Sequence, residues 1–139
     1  MIVLDTNVLS EALKPVPSGT VLAWLAAQTP SAVFTTTITL AEILCGVEAL
    51  PRRKRRTGLL SAVEKMFAAE FEGRILPFDE YAARLFAAIV ASRDAAGRPI
   101  SQFDAMIAAI TRSHRAAVAT RNTADFAGCG VQVIDPWAR

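Results

Sequence analysis

The chain has 139 residues, of which 53% are hydrophobic and 20% are charged, and its formal net charge is +2. This length predicts one domain with a sizeable core, and this composition excludes a disordered chain. No uncharged apolar run reaches the roughly 18 residues of a membrane-spanning helix, and Asp5 interrupts the apolar start that a secretion signal would need. We therefore expect a cytoplasmic protein in which Cys45 and Cys129 are reduced, since they fit no zinc or redox spacing.

Predicted strands and helices alternate along the chain. The first strand is Ile2–Leu4, and a helical pattern follows from Val8 to about Lys14. Further helices are predicted to open at Ser18, to carry Leu40 to Val47 and Leu59 to Phe71, and to be capped by Asp79 and Ser101. The other predicted strands are short and apolar, at residues 32–36, 74–78, 116–120 and 131–134. This alternation predicts one α/β domain over residues 1–139, with a mainly parallel sheet covered by helices on both faces.

Four acidic side chains stand at comparable places in this pattern. Asp5 follows the first strand, Glu42 and Asp104 are predicted in the first turns of their helices, and Asp125 follows residues 116–120. Each has a simpler explanation as a helix cap or as an acid near a helix N-terminus. A parallel sheet, however, brings all four near one edge, and clustered carboxylates favour a bound cation. An all-oxygen site is typical of Mg²⁺, with Mn²⁺ as a substitute.

Four segments carry a resemblance to a known family, in its order and at its separations. They are MIVLDTNVLSE, TTTITLAEILCGVEAL, ISQFDAMIAAITRSH and ATRNTADFAGCGVQVIDPW. Over essentially its whole length the chain resembles PIN-domain nucleases, in particular VapC-type, FitB-like toxins. The resemblance implies a PIN-like, Rossmann-like α/β/α sandwich, a metal-dependent endoribonuclease activity, an antitoxin partner and a homodimer. It also implies that Asp5, Glu42 and Asp104 are the core acids, with Asp125 or Asn122 completing the site.

Phosphodiester hydrolysis gives these residues their expected roles. Asp5 and Asp104 are predicted to bind the metal directly, and Glu42 to bind it or to orient the attacking water. Hydroxyl and amide groups beside them are expected to orient the carboxylates, unless they serve only in turns and caps: Thr6, Asn7, Thr120 and Asn122. The single histidine, His114, excludes a metal-free ribonuclease with two histidines, and we expect it to pack or to compensate a helix dipole. A catalytically silent module that binds a protein or nucleic acid is the alternative function.

The densest charge lies in a basic run, Arg52, Arg53, Lys54, Arg55 and Arg56, which either starts a helix or precedes one. Because these five charges exceed the net charge of +2, the rest of the chain sums to about −3. Three interpretations stay open for the run: a solvated surface, a contact with RNA phosphates, or a contact with an acidic antitoxin segment. Arg112, Arg115 and Arg121 are expected near the second half of the acidic site, where they would hold a backbone phosphate.

Overall fold

Five parallel strands form the centre of the molecule in the computed structural model, which describes residues 1–138. Their order across the sheet is β3-β2-β1-β4-β5. The bounds are Ile2–Leu4 for β1, Val33–Thr36 for β2, Ile75–Leu76 for β3, Ala117–Ala119 for β4 and Gln132–Ile134 for β5. The predicted α/β class and parallel sheet are confirmed; β1 has the predicted bounds, and the other four strands are shorter than predicted.

Seven α-helices surround the sheet in the described part of the chain. They are α1 Thr6–Ala12, α2 Gly19–Ala26, α3 Thr37–Glu48, α4 Lys54–Lys65, α5 Glu80–Ala95, α6 Gln102–Ser113 and α7 Thr123–Phe126. The basic run begins a helix, since α4 starts at Lys54. The helix predicted to continue to Phe71 instead changes to a π-helical turn at Met66–Glu70, which ends beside Phe71. None of the helices within residues 1–138 is long and apolar enough to cross a membrane.

The core is divided between the two faces of the sheet, because successive strand side chains point to opposite sides. Val3 and Val118 pack with Ile107 and Ile110 of α6. On the other face, Leu4 and Ala119 pack in a cluster with residues of α1 to α4, including Val8, Trp24 and Val63. Full burial of such aliphatic side chains stabilises the fold by about 1.5–3 kcal/mol each. The central strands are therefore fixed on both sides, and so are the chain segments that leave them.

The direction of the chain changes between β1 and β4. From β1 the chain proceeds to β2 and β3 on one side, and β4 and β5 lie on the other. Open parallel sheets bind ligands outside the carboxyl ends of the strands at such a switch point. The pairing of Leu4 with Ala119 brings the next residues, Asp5 and Thr120, to this position. The Asp5 N–H donates to the Ala119 carbonyl at 2.9 Å, which extends the ladder to the site.

The start of α3 differs from the prediction. Thr36, not Thr39, is the N-cap, and its hydroxyl accepts a hydrogen bond from the Thr39 N–H at 3.0 Å. Because α3 begins at Thr37, Glu42 lies in its second turn and not in its first. A cap role for Glu42 is therefore wrong. Thr36 ends β2 and begins α3 at once, and this sharp transition sets where Glu42 lies.

We predict that Thr36→Val destabilises the protein by about 1–2 kcal/mol, because the buried Thr39 N–H loses its acceptor while the side-chain shape is kept. The measurement is urea unfolding followed by circular dichroism. Thr37→Val, at the exposed neighbouring position, is the matched control and should change stability by less than about 0.5 kcal/mol. Equal losses in the two variants would contradict the assigned cap.

Candidate functional site

Asp5 is the most buried acid of the site, with only 3% of its surface exposed. Its Oδ1 accepts a hydrogen bond from the Thr6 N–H at 2.8 Å. Its Oδ2 accepts one from the Thr120 hydroxyl at 2.8 Å and one from the Asn7 amide at 3.0 Å. Burying a carboxylate costs free energy unless donors replace the lost water. These donors come from both sides of the β1–β4 pair, so they fix the carboxylate to the sheet edge.

The same donors leave Asp5 one free direction. A carboxylate has about four acceptor positions, and the three hydrogen bonds to Asp5 leave one on Oδ1. Thr120 and Asn7 also bond to each other, with the amide 3.3 Å from the hydroxyl oxygen. Asp5 is therefore held so that it can bind an ion through one oxygen without losing a protein contact.

Thr6 connects Asp5 to Glu42. Its backbone N–H donates to Asp5, while its hydroxyl donates to Oε1 of Glu42 at 2.7 Å. Glu42 is partly buried, and its Oε2 has no hydrogen-bond partner within residues 1–138. One threonine thus orients two carboxylates from different elements and leaves an oxygen of each free to accept a further ligand.

Asp104 lies in the first turn of α6, where Ser101 performs the capping. The Ser101 hydroxyl accepts a hydrogen bond from the Asp104 N–H at 3.2 Å. The interaction of the Asp104 carboxylate with the Ser101 hydroxyl lowers its pKa, against the larger raising effect of burial. Within the described residues this carboxylate forms no ion pair, so it keeps acceptor positions for a ligand. Asp125 is exposed in the first turn of α7, and the exposed Asn122 donates its backbone N–H to the Thr120 hydroxyl at 3.1 Å.

The pKa values show that these acids share one electrostatic environment. Burial raises the pKa of Asp5 from 3.8 to about 6 against the lowering effect of its hydrogen bonds, and the charges of Asp104 and Glu42 raise it further. Burial also raises the pKa of Glu42, and the charge of Asp104 adds to that shift. The pKa of Asp104 is likewise raised, first by burial and then by the charge of Asp125. The acids predicted from separate segments are therefore near enough to repel one another.

The arrangement is open. Within residues 1–138 no three His, Cys, Asp or Glu side chains form a closed group that would hold a metal ion. None of the four acids forms an ion pair with a lysine or arginine in that part of the chain. Uncompensated carboxylates with free oxygens, at a site that offers only oxygen and amide groups, fit a hard divalent cation such as Mg²⁺.

Sequence reasoning missed Arg93, which is 7% exposed on α5. Its guanidinium donates to the carbonyls of Asp125 at 2.8 Å and Ala127 at 2.9 Å, and to that of Arg98 at 2.6 Å. It therefore holds α7, and its charge lowers the pKa of Asp104 against the dominant effect of burial. The signal was present, because Arg93 continues the buried stripe of Ala82 and Ile89 along α5.

The predicted arginines separate into two groups. Arg121 lies at the site: its backbone N–H donates to Oδ1 of Asn7 at 3.1 Å, and its guanidinium lies 5.2 Å from the ring centroid of Trp137. Arg112 and Arg115 lie at the other end of α6, beside the N-terminal ends of β4 and β5. The expectation that they lie near the acids is wrong, because eight residues of helix, about 12 Å, separate Arg112 from Asp104.

Two smaller expectations concern exposed residues. His114 is exposed at the C-cap of α6, so of its two expected roles packing is wrong, while its position agrees with compensation of the helix dipole. The basic run is exposed except for Arg56, which is partly buried and forms an ion pair with Glu48 at 2.5 Å. Arg55 lines a groove that also includes Glu42, so the run reaches toward the acidic site.

Comparison with known proteins agrees with this geometry. The family model of the PIN domain matches residues 2–128, and the chain belongs to the PIN-domain family. It is 42% identical to VapC ribonuclease Y4jK of Sinorhizobium fredii over 99% of this chain and 98% of that protein. It is 41% identical to Toxin FitB of Neisseria gonorrhoeae over 99% of both chains.

Solved structures give the same result. FitAcB from Neisseria gonorrhoeae contains a chain that matches with a TM-score of 0.94 at 40% identity, over 100% of both chains. VapBC-5 from Mycobacterium tuberculosis, described as a member of the VapBC family of toxin–antitoxin systems, matches with a TM-score of 0.68 at 30% identity, over 95% of both chains. The resemblance drawn from the four sequence segments is confirmed.

We predict that the Asp5 carboxyl of the metal-free protein titrates near pH 6 and that Asp104→Asn lowers this midpoint, because one of the charges that raise it is removed. Carbon-13 NMR of the carboxyl carbons measures the titration midpoint of Asp5. Glu64→Gln is the control: it removes a charge that does not act on Asp5, so the midpoint should stay unchanged. The folded-state pKa lies above the unfolded value, so the stabilisation from this proton is complete below about pH 4 and is lost as the pH rises through about 6. An unchanged midpoint in Asp104→Asn would show that the two carboxylates do not interact.

Proposed function

We propose that this protein is the toxin of a toxin–antitoxin pair and an endoribonuclease that requires Mg²⁺, with Mn²⁺ as a substitute. The observation that carries the proposal is the group of carboxylates Asp5, Glu42 and Asp104, which have raised pKa values and form no ion pair within residues 1–138. The names of the ribonuclease and toxin relatives support the same function. A cytoplasmic location and a homodimer stay predictions.

The chemistry assigns a role to each acid. Asp5, through its free Oδ1 position, and Asp104 would hold the cation, which supplies charge neutralisation at the phosphate and at the leaving oxygen. Glu42 keeps Oε2 free, and its raised pKa makes it a better proton acceptor near neutral pH. We therefore assign it to orient the attacking water and to take its proton as the new P–O bond forms and the P–O bond to the leaving oxygen breaks. The leaving oxygen would take its proton from solvent. Asp125, whose charge raises the pKa of Asp104, is assigned to complete the site, with Asn122 as the alternative.

The uncharged neighbours keep this geometry. Thr6, Asn7 and Thr120 donate to Asp5 or Glu42, and their positions are set by β1, α1 and β4. Oriented groups of this kind commonly change metal affinity or activity by about 10–100-fold when they are removed. Arg121 lies at the rim of the site and is assigned to a phosphate of the bound strand.

An antitoxin is the proposed protein partner. A groove of about 500 Å³ runs between α1, α3 and α4 from Thr6 and Glu42 to Arg55. Leu13, Ile43, Val47 and Leu59 line it, and Lys14 lies at its rim. We assign this groove to an antitoxin segment with apolar and acidic side chains, because an occupant there would cover Glu42. The match to a member of a toxin–antitoxin family supports this assignment.

The central test is Asp104→Asn. We expect loss of RNA cleavage by orders of magnitude and loss of growth arrest when the variant is expressed in a bacterial host. We also expect a higher melting temperature in chelator. A carboxylate pair about 5 Å apart repels by roughly 3 kcal/mol at an effective dielectric of 20, while the lost helix-dipole interaction is worth only about 0.3–1 kcal/mol.

The measurements are RNA cleavage and thermal melts in chelator and across a Mg²⁺ and a Mn²⁺ titration. Wild type should gain stability with metal, and Asp104→Asn much less. Glu64→Gln is the control, since it removes an exposed acid of α4 that has no contact with the site. If wild type binds RNA but never cuts it at any metal concentration, the protein is a silent binding module and the proposed activity is wrong.

A separate prediction concerns the basic run. Changing Arg52, Arg53, Lys54 and Arg55 to Gln should weaken RNA binding and flatten its dependence on salt, because fewer counterions are displaced. The fold should not lose stability, since these residues are exposed and positive charge is unfavourable in the first turn of α4. Fluorescence anisotropy across a salt series measures the slope. An unchanged slope would exclude the RNA contact and leave the surface and antitoxin interpretations of the run.

A further inference from the structure

A second polar pocket lies at the end of the molecule opposite the acidic site. Its volume is about 440 Å³, within the range of small-ligand sites. It is lined by Arg112 from the end of α6 and Arg115 just after it, by Tyr81 and Leu85 from α5, and by Gln132 from β5. No acidic residue is part of the lining. The pocket therefore combines two positive charges with a hydroxyl and an amide.

The two arginines differ from the structural arginines of the chain. Arg74 and Arg93 each donate to backbone carbonyls and hold neighbouring segments together. Within residues 1–138, Arg112 and Arg115 donate no side-chain hydrogen bond and form no ion pair. If they served only to compensate the dipole of α6, their guanidinium groups would be expected to bond its last carbonyls. They line the pocket instead.

The backbone around them is shaped for this placement. Gly130, with φ +77°, lies so close to Arg112 that an added Cβ would be 3.1–3.2 Å from Nε, Cδ and Cζ of its side chain. Arg115 has φ 52°, and within the described residues it is the only residue other than glycine with positive φ. Glycine is the usual residue in this left-handed position after a helix. An arginine at this position therefore has a strained backbone, and it places a second positive charge in the lining of the pocket.

We propose that this pocket binds a phosphate group, through the guanidinium groups of Arg112 and Arg115 with Gln132 and Tyr81 as neutral donors. Guanidinium groups bind phosphate oxygens in pairs of parallel hydrogen bonds, and the absence of acids from the lining leaves both charges available. The phosphate is either free or carried by a small molecule, or it belongs to the backbone of an RNA strand. The site differs from the proposed nuclease centre in place and in the charge it binds, so it does not depend on that activity.

The first experiment titrates the protein with inorganic phosphate at constant ionic strength and follows the arginine Nε–H signals by NMR. We expect saturable shifts of Arg112 and Arg115 with phosphate and none with the same ionic strength of chloride. Arg112→Gln should weaken phosphate binding at least tenfold. Arg98→Gln removes an exposed arginine outside the pocket and is the matched control that should bind as wild type.

Arg115→Gly separates a binding role from a structural one. Glycine relieves the strained backbone, so the melting temperature should stay equal or rise while phosphate binding weakens. In the second arm, a short single-stranded RNA replaces phosphate in the Asp104→Asn background, where cleavage is removed. Competition between RNA and phosphate at Arg112 identifies the RNA backbone as the source, and RNA binding that leaves Arg112 unshifted identifies a free or small-molecule phosphate. If neither ligand shifts Arg112 and Arg115, or if Arg112→Gln binds phosphate as wild type does, the proposal is wrong.

Discussion

The site depends on the placement of one buried carboxylate, that of Asp5. A carboxylate with 3% exposure is costly in a protein interior, and its hydrogen bonds from Thr6, Asn7 and Thr120 replace only part of the lost hydration. Those bonds join the turn after β1 to the end of β4, the two strands between which the chain direction changes. The contact that holds the acid is therefore also a contact that closes the centre of the sheet edge. The same hydrogen bonds therefore orient Asp5 and connect β1 to β4.

The strain of the acidic site is electrostatic. Within residues 1–138 its backbone has no residue other than glycine with positive φ, because Arg115 lies at the opposite end of α6. The pKa values of Asp5, Glu42 and Asp104 are all raised, with burial as the main cause and neighbouring carboxylates adding to it. Each of these shifts is a free-energy cost of keeping the group charged near neutral pH. A cation that neutralised the cluster would remove much of that cost, so the energy that opposes folding without metal favours metal binding.

The sequence was sufficient for the features that follow from local pattern. A short apolar strand that ends in Asp5-Thr6-Asn7 and turns into a helix predicts both the sheet edge and the acid there, and the structure has both. The start of α3 was wrong because Thr35, Thr36, Thr37 and Thr39 are all suitable caps. β2 ends at Thr36, as predicted, but the sequence does not show that α3 follows this strand without a connecting residue. Arg112 was misplaced although its spacing from Asp104 on the same helix, eight residues, already put it about 12 Å from that acid. Arg93 continues the buried stripe of α5, but its partners are backbone carbonyls, which the sequence does not reveal.

The bonds of Arg93 also decide how freely the last acidic position can change. Arg93 holds α7 through the main-chain oxygens of Asp125 and Ala127 and makes no contact with the Asp125 carboxylate. The path of this segment is therefore independent of the side chain that it carries at that position. An amide or a hydroxyl there would meet the same backbone and the same anchoring cation. The side chain at position 125 can therefore change during evolution while the hydrogen bonds of Arg93 keep the backbone of α7 in place.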